Sequence, residues 1–202
     1  EFAAIFYANV EFDVVGNWAA ELHIQIDGEI YRSLLTQPFN VLVQTPEPHI
    51  GTPLPASTQL ILRDVVDLAD IDSSKNPIPE LHDLTVAEAL ASGKPVLVAI
   101  ATPAFCHSRL CGPVMQAVVI PLWQQFGNEV QFVHIEPFEL KEARTTGRLV
   151  PVTLLREWNL QSEPWIFVAD RYGIVVAKFE SIVDLEEVRS VLIDLVSVDV
   201  TN

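Results

Sequence analysis

Two thiols dominate the chemistry that this sequence can perform. Cys106 and Cys111 are the only cysteines among 202 residues, and they stand five positions apart. They follow a continuous run of mostly branched apolar residues at 96–100, which predicts a strand buried on both faces. They precede a wide apolar helical stripe formed by Val114, Val118, Leu122 and Phe126. A thiol pair at the start of a helix can exchange with other disulfides, form a permanent disulfide or bind a soft metal ion.

The spacing of the two cysteines restricts their geometry. Residues five apart on a regular helix are separated by roughly 8.6 Å between Cα atoms, whereas a disulfide requires about 4.4–6.8 Å. Either Cys106 lies in a loop and folds back, or oxidation unwinds the first helical turn. We expect the second alternative, with a helix that reaches back toward Cys106 in the reduced protein.

Short motifs around the cysteines resemble those of the thioredoxin-like superfamily. Residues 101–106, Ala-Thr-Pro-Ala-Phe-Cys, resemble its aromatic-cysteine entry, and Cys111-Gly-Pro resembles its Cys-Gly-Pro turn. Pro121 predicts a kinked helix, as in that family, because it removes the backbone hydrogen bond to Ala117. The spacing departs from the family pattern, since Cys-x-x-x-x-Cys replaces Cys-x-x-Cys. The resemblance implies an α/β fold with a central mixed sheet flanked by helices, and thiol–disulfide oxidoreductase activity.

The predicted elements follow the order of that fold. A capping box at Thr85 and Glu88 starts a helix, and strands at 96–100 and 130–135 enclose the cysteine helix. Residues 138–151 are predicted to be irregular, residues 152–158 form a short helix, strands at 164–169 and 174–180 form a hairpin, and Asp184 caps a last helix. This β-α-β-α-β-β-α order assigns residues 84–202 to the thioredoxin-like domain.

The thiols have different expected roles. Cys106 is the expected nucleophile, because it lies nearer the helix start and should be more exposed, and Cys111 is the expected resolving thiol. His107 and Arg109 lie between them and could stabilise a thiolate electrostatically. Both residues are equally compatible with a solvent-facing loop.

Three further residues are expected near the thiols. Pro164 resembles the cis-proline that precedes the third strand in thioredoxin-like proteins and faces the dithiol. The resemblance then places Glu163 near the cysteines, where its carboxylate could accept a proton or raise a thiol pKa by repulsion. Trp165 is the one tryptophan expected near the active face.

Two other functions remain compatible with the sequence. His134, on the second strand, could complete a Cys106, Cys111 and His134 set for Cu(I), because thiolates and one imidazole suit that ion. Such a set resembles the copper-delivering thioredoxin-like proteins of cytochrome oxidase assembly, although packing within the sheet is the favoured explanation for this histidine. Alternatively, the chain is a non-catalytic interaction module with a structural disulfide. The first hypothesis needs no cofactor.

The first 83 residues have a different composition. Residues 1–45 are predicted to be all-β, with strands at 5–12, 18–26 and 30–43 and a hairpin turn at Asp27-Gly28. The run at 12–18 resembles an immunoglobulin-like domain, of which this segment would be the second half, and a β-extension is the alternative. Residues 46–83 are predicted to be a proline-rich and acidic linker, in which a solvated cluster is formed by Asp64, Asp67, Asp70 and Asp72.

The charge balance narrows the range of partners. The net charge is −15, from 12 basic and 27 acidic residues, which disfavours nucleic acid and anionic membrane surfaces as partners. No apolar run reaches the length of a membrane span. The chain begins in what reads as the middle of a strand, so we expect an export signal before it and an extracytoplasmic location. The expected partners are protein thiols or disulfides, and the sequence leaves the oligomeric state open.

Overall fold

The computed structural model describes residues 10–34, 37–106 and 110–197. The chain divides into two compact units, Glu1–Thr45 and Pro46–Asn202. Among the described residues, no helix combines the length and the apolar character that crossing a membrane requires.

The part of the first unit that the structure describes contains two antiparallel strand pairs. Its strands are β1 (Gly16–Trp18), β2 (Glu21–Ile26), β3 (Glu29–Leu34) and β4 (Phe39–Val41), and β1 pairs with β4 and β2 with β3. Asp27 and Gly28 both have positive φ and connect β2 to β3, as the hairpin signal predicts. Each longer predicted strand is divided in two here. Of the strand predicted at 5–12, residues 5–9 lie outside the described residues, and residues 10–12 are not in a strand. The immunoglobulin-like assignment stays a prediction.

The second unit is built on one four-stranded mixed sheet. Its strands run in the order β6-β5-β7-β8, with β5 parallel to β6 and antiparallel to β7, and β7 antiparallel to β8. The predicted mixed sheet flanked by helices is therefore confirmed. The elements are α1 (Val86–Ala91), β5 (Val96–Ile100), α2 (Cys111–Val114), α3 (Ile120–Phe126), β6 (Gln131–Ile135), α4 (Leu140–Thr146), α5 (Thr153–Glu157), β7 (Trp165–Ala169), β8 (Val175–Glu180) and α6 (Leu185–Ser197).

Strand β5 separates two apolar layers. Leu97 and Ala99 join the layer that contains the cysteine helix and α6, whereas Val98 and Ile100 join the layer that contains α1 and α5. All five residues of β5 are fully buried, which is why the strand reads as an unbroken apolar run. Its C-terminal end leads directly into the loop that carries Cys106.

The helix after Cys111 contains a wide turn instead of a simple kink. A π-helical segment, Met115–Val119, lies between α2 and α3, and the Ile120 N–H donates to the Met115 carbonyl. Pro121 has no N–H for the Ala117 carbonyl, so the ordinary hydrogen-bond ladder is interrupted there. The predicted perturbation by Pro121 is present, and it takes the form of a π segment.

Helix α4 was not expected. Residues 138–151 were predicted to be irregular, but Leu140–Thr146 is helical, with Leu140 and Ala143 buried. The helix ends at Gly147, whose φ of 75° gives the left-handed conformation common after a helix. The turn signal around Gly147 therefore marks the end of a helix. The helix buries two residues, which is too few for a helical period to be visible in the sequence.

Residues 46–83 do not behave as a free linker. They belong to the second unit and contain three short 3-10 turns, Leu62–Asp64, Leu68–Asp70 and Pro79–His82. The Leu54 N–H donates to the Gly173 carbonyl at 2.8 Å, beside the start of β8. Apolar side chains without regular spacing anchor the segment, and they are Leu54, Ile61, Ile71 and Leu81. The predicted solvation of the acidic cluster is wrong for Asp72, which is 3% exposed.

Candidate functional site

The two cysteines meet at the start of the helix. Cys111 is the first residue of α2 and is fully buried, whereas Cys106 is half-buried in the loop after β5. The Cys111 backbone N–H donates to the Cys106 Sγ at 3.3 Å. This N–H is one of the helix's first donors, which have no partner within the helix and which favour negative charge on an acceptor. The site therefore favours a thiolate at Cys106.

The helix does not reach back to Cys106. No disulfide joins the two cysteines, and α2 nevertheless begins at Cys111. Cys106 instead lies in the loop and folds back, so the expectation of a longer helix in the reduced protein is wrong. His107 and Arg109 lie outside the described residues, and their expected roles stay predictions.

The Cys111 thiol is held in its neutral form. Burial raises the pKa of Cys111, and the hydrogen bond with Cys106 and the negative charge of Glu163 act in the same direction. A backbone hydrogen bond involving Thr102 acts against them. The two thiols therefore differ in their surroundings: Cys106 is half-buried and accepts the Cys111 N–H, whereas Cys111 is buried and its thiol stays protonated.

The structure brings Glu163 and Pro164 to this site. The Glu163 carboxylate and both sulfur atoms lie within 4.8 Å of one another. The Glu163–Pro164 peptide bond is cis and directly precedes β7, which pairs with β5. Trp165 is the first residue of β7, lies opposite Ile100 and is 7% exposed, and its Nε1 donates to the Ser162 Oγ at 3.0 Å.

His134 does not join the cysteines. Its Nδ1 lies 3.4 Å from His82 Nε2 and 3.5 Å from Asp72 Oδ2, and its Nε2 lies 3.0 Å from the Ala101 carbonyl oxygen. His82 Nε2 lies 3.0 Å from the same Asp72 oxygen. Among the described residues, two separate groups could thus hold a metal ion, one of Cys106, Cys111 and Glu163 and the other of Asp72, His82 and His134. The Cys-Cys-His set expected for Cu(I) is not formed.

The Asp72 cluster is buried, and its groups influence one another strongly. Burial alone would raise the pKa of Asp72, but hydrogen bonds with His134 and His82 hold it below its usual range. Burial lowers the pKa of His82 despite its contact with Asp72. For His134, the interactions with Asp72 outweigh burial and raise the pKa. Each ionic form depends on its partners, as in functional clusters.

A second buried carboxylate connects this cluster to the cysteine loop. The Ser73 N–H donates to Glu136 Oε1 at 2.7 Å, and the Ala104 N–H donates to the Ser73 Oγ at 3.0 Å. Burial raises the pKa of Glu136, although Thr102 lies near enough to lower it in part. The Thr102 hydroxyl and Glu136 Oε2 nevertheless have no hydrogen-bond partner among the described residues.

Sequence reasoning missed the Asp72 cluster because its members are far apart in the chain. His82 and His134 are separated by 52 positions, and neither stands in a spacing typical of metal ligands. Asp72 was assigned to a solvated run of acidic residues. The one sequence feature that pointed to this cluster was His134 in the apolar strand at 130–135. A histidine buried in such a strand needs a hydrogen-bond partner that is also buried.

Comparison with known proteins finds solved structures that resemble part of this chain. No family model and no curated protein matches the chain. A solved thio-disulfide isomerase from Thermus thermophilus aligns with 22% identity and a TM-score of 0.39, over 50% of this chain and 79% of that chain. The second unit has a thioredoxin-like fold. Its sheet order and the cysteine-bearing helix after β5 establish this assignment.

Two further solved structures show the same extent of likeness. A putative protein disulfide isomerase from Bacteroides thetaiotaomicron aligns with 19% identity and a TM-score of 0.41, over 54% of this chain and 78% of that chain. A thiol-disulfide isomerase from Corynebacterium glutamicum aligns with 17% identity and a TM-score of 0.38, over 73% of this chain and 97% of that chain.

Proposed function

We propose that this protein is a thiol–disulfide oxidoreductase that acts on protein disulfides through Cys106 and Cys111. The observation that carries the proposal is the hydrogen bond from the Cys111 N–H to the Cys106 Sγ at the start of the helix. It gives the accessible sulfur the environment that lowers a thiol pKa and increases the thiolate fraction. A purely structural cysteine pair would not require one accessible and one buried sulfur.

The proposed reaction has two exchange steps. In the first, the Cys106 thiolate attacks one sulfur of a substrate disulfide, the substrate S–S bond breaks, and the departing substrate thiolate takes up a proton. In the second, Cys111 loses its proton and attacks Cys106 Sγ in the mixed disulfide, which releases the second substrate thiol. The protein dithiol is oxidised to a disulfide and the substrate disulfide is reduced to two thiols. The reverse sequence oxidises a substrate dithiol.

Glu163 is the proposed proton acceptor for Cys111. Its carboxylate lies within 4.8 Å of both sulfurs, so it can receive the thiol proton directly or through one water molecule. Its charge also raises the pKa of Cys111 before substrate binds, which keeps the resolving thiol neutral until a mixed disulfide has formed. Pro164 and Trp165 follow Glu163 directly, and Trp165 begins β7, which pairs with the strand that leads to the Cys106 loop.

Trapping of the mixed disulfide tests the proposal. Reduced Cys111→Ser protein should accumulate a mixed disulfide with a disulfide-bonded peptide, since the resolving thiol is missing. Reduced Cys106→Ser protein is the matched control and should form the adduct at least about tenfold more slowly, because the remaining thiol is buried and protonated. Intact-protein mass spectrometry measures both. Equal rates in the two variants, or no adduct in either, would contradict the assignment of roles.

The Glu163→Gln variant separates the two steps. It keeps the shape of the side chain and removes the carboxylate, so the first attack should be unchanged and release of the mixed disulfide should slow at neutral pH. Glu129→Gln is the matched control, because Glu129 is an exposed carboxylate elsewhere on the domain. Faster or unchanged release in Glu163→Gln would remove Glu163 from the mechanism.

The location outside the cytoplasm is part of the proposal. Substrate disulfides persist in oxidising compartments, and a protein that exchanges them is expected there. Separation of cytoplasmic and extracytoplasmic fractions of the source cells, followed by immunodetection, tests this location. Detection of the protein only in the cytoplasmic fraction would contradict it.

A further inference from the structure

Three potential metal-binding atoms converge away from the thiols. Asp72 Oδ2, His82 Nε2 and His134 Nδ1 are separated pairwise by 3.0, 3.4 and 3.5 Å. All three side chains are at least 98% buried. Each belongs to a different part of the domain: Asp72 follows the second 3-10 turn, His82 ends the third, and His134 lies on β6.

The centre of this cluster has more hydrogen-bond acceptors than donors when both rings are neutral. A carbonyl oxygen only accepts, so the contact of His134 Nε2 with the Ala101 oxygen at 3.0 Å requires a proton on Nε2. A neutral His134 ring then directs the Nδ1 lone pair toward the Asp72 carboxylate, which also only accepts. The Nε2–H of a neutral His82 can donate to Asp72 Oδ2 at 3.0 Å, and it is then the single proton among the three atoms. A cation in place of that proton would have all three atoms as ligands.

The distances are also compatible with a metal ion in place of that proton. A charge-assisted hydrogen bond between an imidazolium and a carboxylate is about 2.7–2.9 Å long, whereas His134 Nδ1 and Asp72 Oδ2 are 3.5 Å apart. Zinc bonds of about 2.0–2.1 Å at angles of 90–109° place ligand atoms about 2.9–3.4 Å from one another. The three observed separations are close to that range. The Ala101 carbonyl also orients His134 as backbone carbonyls commonly orient metal-binding histidines.

We propose that Asp72, His82 and His134 form a binding site for a divalent first-row transition-metal ion of the zinc type. Two imidazoles and one carboxylate are a ligand set suited to such ions, and three protein ligands leave a position for water or another small ligand. The site differs from the thiol site in its residues and in its ligand chemistry, because it contains no sulfur.

The surroundings of the site support entry of a cation. His82 and His134 line a cavity of about 480 Å³ that extends to exposed residues, among them Asp64 and Glu139. Of the described residues that line this cavity, four carry carboxylates and none is lysine or arginine. Such a lining attracts cations. Glu136, 5% exposed and with Oε2 unpartnered among the described residues, lines the same cavity.

The proposed ion would stabilise the loop that carries the nucleophile. Ser73, next to Asp72, accepts the Ala104 N–H, and the carbonyl that orients His134 belongs to Ala101. Arg144 also donates to the Asp72 carbonyl and to that of Ala69. The side chains of His134 and Ser73 therefore contact the backbone of the loop at Ala101 and Ala104.

Metal titration of the full chain in a thiol-free background tests the proposal. The Cys106→Ser, Cys111→Ser double variant removes sulfur ligands, and chelator-treated protein is then titrated with Zn(II) in competition with a chromophoric chelator. We expect one Zn(II) per chain and an increase in melting temperature, because an ion that binds only the folded protein stabilises it. Co(II) should give visible absorption bands without thiolate charge-transfer bands. Absence of stoichiometric binding would overturn the proposal.

Variants in the same background identify the ligands. Asp72→Asn keeps the side-chain shape and should weaken Zn(II) binding at least tenfold, as should His82→Ala. His23→Ala is the matched control, because His23 is an exposed histidine of the first unit, and it should leave the affinity unchanged. Undiminished affinity in folded Asp72→Asn, or a loss in His23→Ala, would overturn the assignment. If neither ligand variant folds, the Co(II) spectrum of the double variant decides, since bands of an exposed hexa-aqua ion alone would refute the site.

Discussion

Because Cys111 is buried, the free energy of unfolding should fall as the pH rises above the pKa of an exposed cysteine. Burial raises the pKa of Cys111 in the folded protein, while in the unfolded chain a cysteine titrates near about 8.5. Above that pH the unfolded state binds fewer protons than the folded state, so the free energy of unfolding falls as the pH rises. This contribution is fully present below the unfolded pKa and is lost above it.

The size of this effect follows from the difference in bound protons. If the folded thiol stays protonated, the free energy of unfolding should fall by about 1.9 kcal/mol between about pH 8 and about pH 10 from this group alone. Cys111→Ala removes the group, so its stability should lack this part of the fall. Urea denaturation of both proteins with a non-thiol reductant present, followed by tryptophan fluorescence, measures the difference. Cys106→Ala is the control and should keep most of the pH dependence, because burial is the largest cause of the shift.

Parallel pH profiles of wild type and Cys111→Ala would refute the reasoning. They would mean that the Cys111 thiol titrates alike in the folded and unfolded states, and hence that it is not held neutral in the folded protein. A steeper fall in Cys111→Ala would be equally inconsistent, because it would require the folded state to favour the thiolate.

Three other outcomes follow from the same structure. Iodoacetamide should modify Cys106 at least about tenfold faster than Cys111 in the reduced folded protein, as peptide mass spectrometry would show; equal rates would contradict the difference in exposure. Thr85→Ala should lower the free energy of unfolding by about 1 kcal/mol, because the Thr85 Oγ1 accepts the Glu88 N–H at 3.1 Å; Thr85→Ser should lose little, and equal losses would argue against the cap. Leu122→Ala should cost about 2–5 kcal/mol in urea denaturation, since Leu122 is 1% exposed in the apolar layer of the cysteine helix; a smaller loss would show that the layer can collapse around the cavity.

The strands of the sheet and the position of the thiol pair could be predicted from the sequence, because both depend on local patterns. The run at 96–100 has the same bounds as β5, since a strand covered on both faces must be apolar at every position. The cysteines needed only their order along the chain to be placed at a helix start. Glu163 was located through its neighbour Pro164, whose position before a strand was the decisive feature.

The missed features have nonlocal or weak signals. In the sequence, Asp72 looks like one of several acidic residues of a solvated cluster. The fold places it beside His82 and His134, and the spacing of these residues along the chain does not predict that contact. The proline-rich segment at 46–83 attaches through aperiodic apolar residues, for which neither the helical nor the strand period is informative. The helix start at Cys111 depends on how the loop folds back, and a spacing argument alone left two solutions open.

The reduction potential of the Cys106–Cys111 pair tests the central claim most directly. The protein would be equilibrated in glutathione buffers of graded potential, quenched with acid, alkylated, and quantified by mass spectrometry. A catalytic pair should give a midpoint between about −270 and −120 mV, the range of thiol–disulfide oxidoreductases. A midpoint below about −300 mV, or the absence of an intramolecular disulfide at any potential, would contradict the claim that these two thiols exchange disulfides with other proteins.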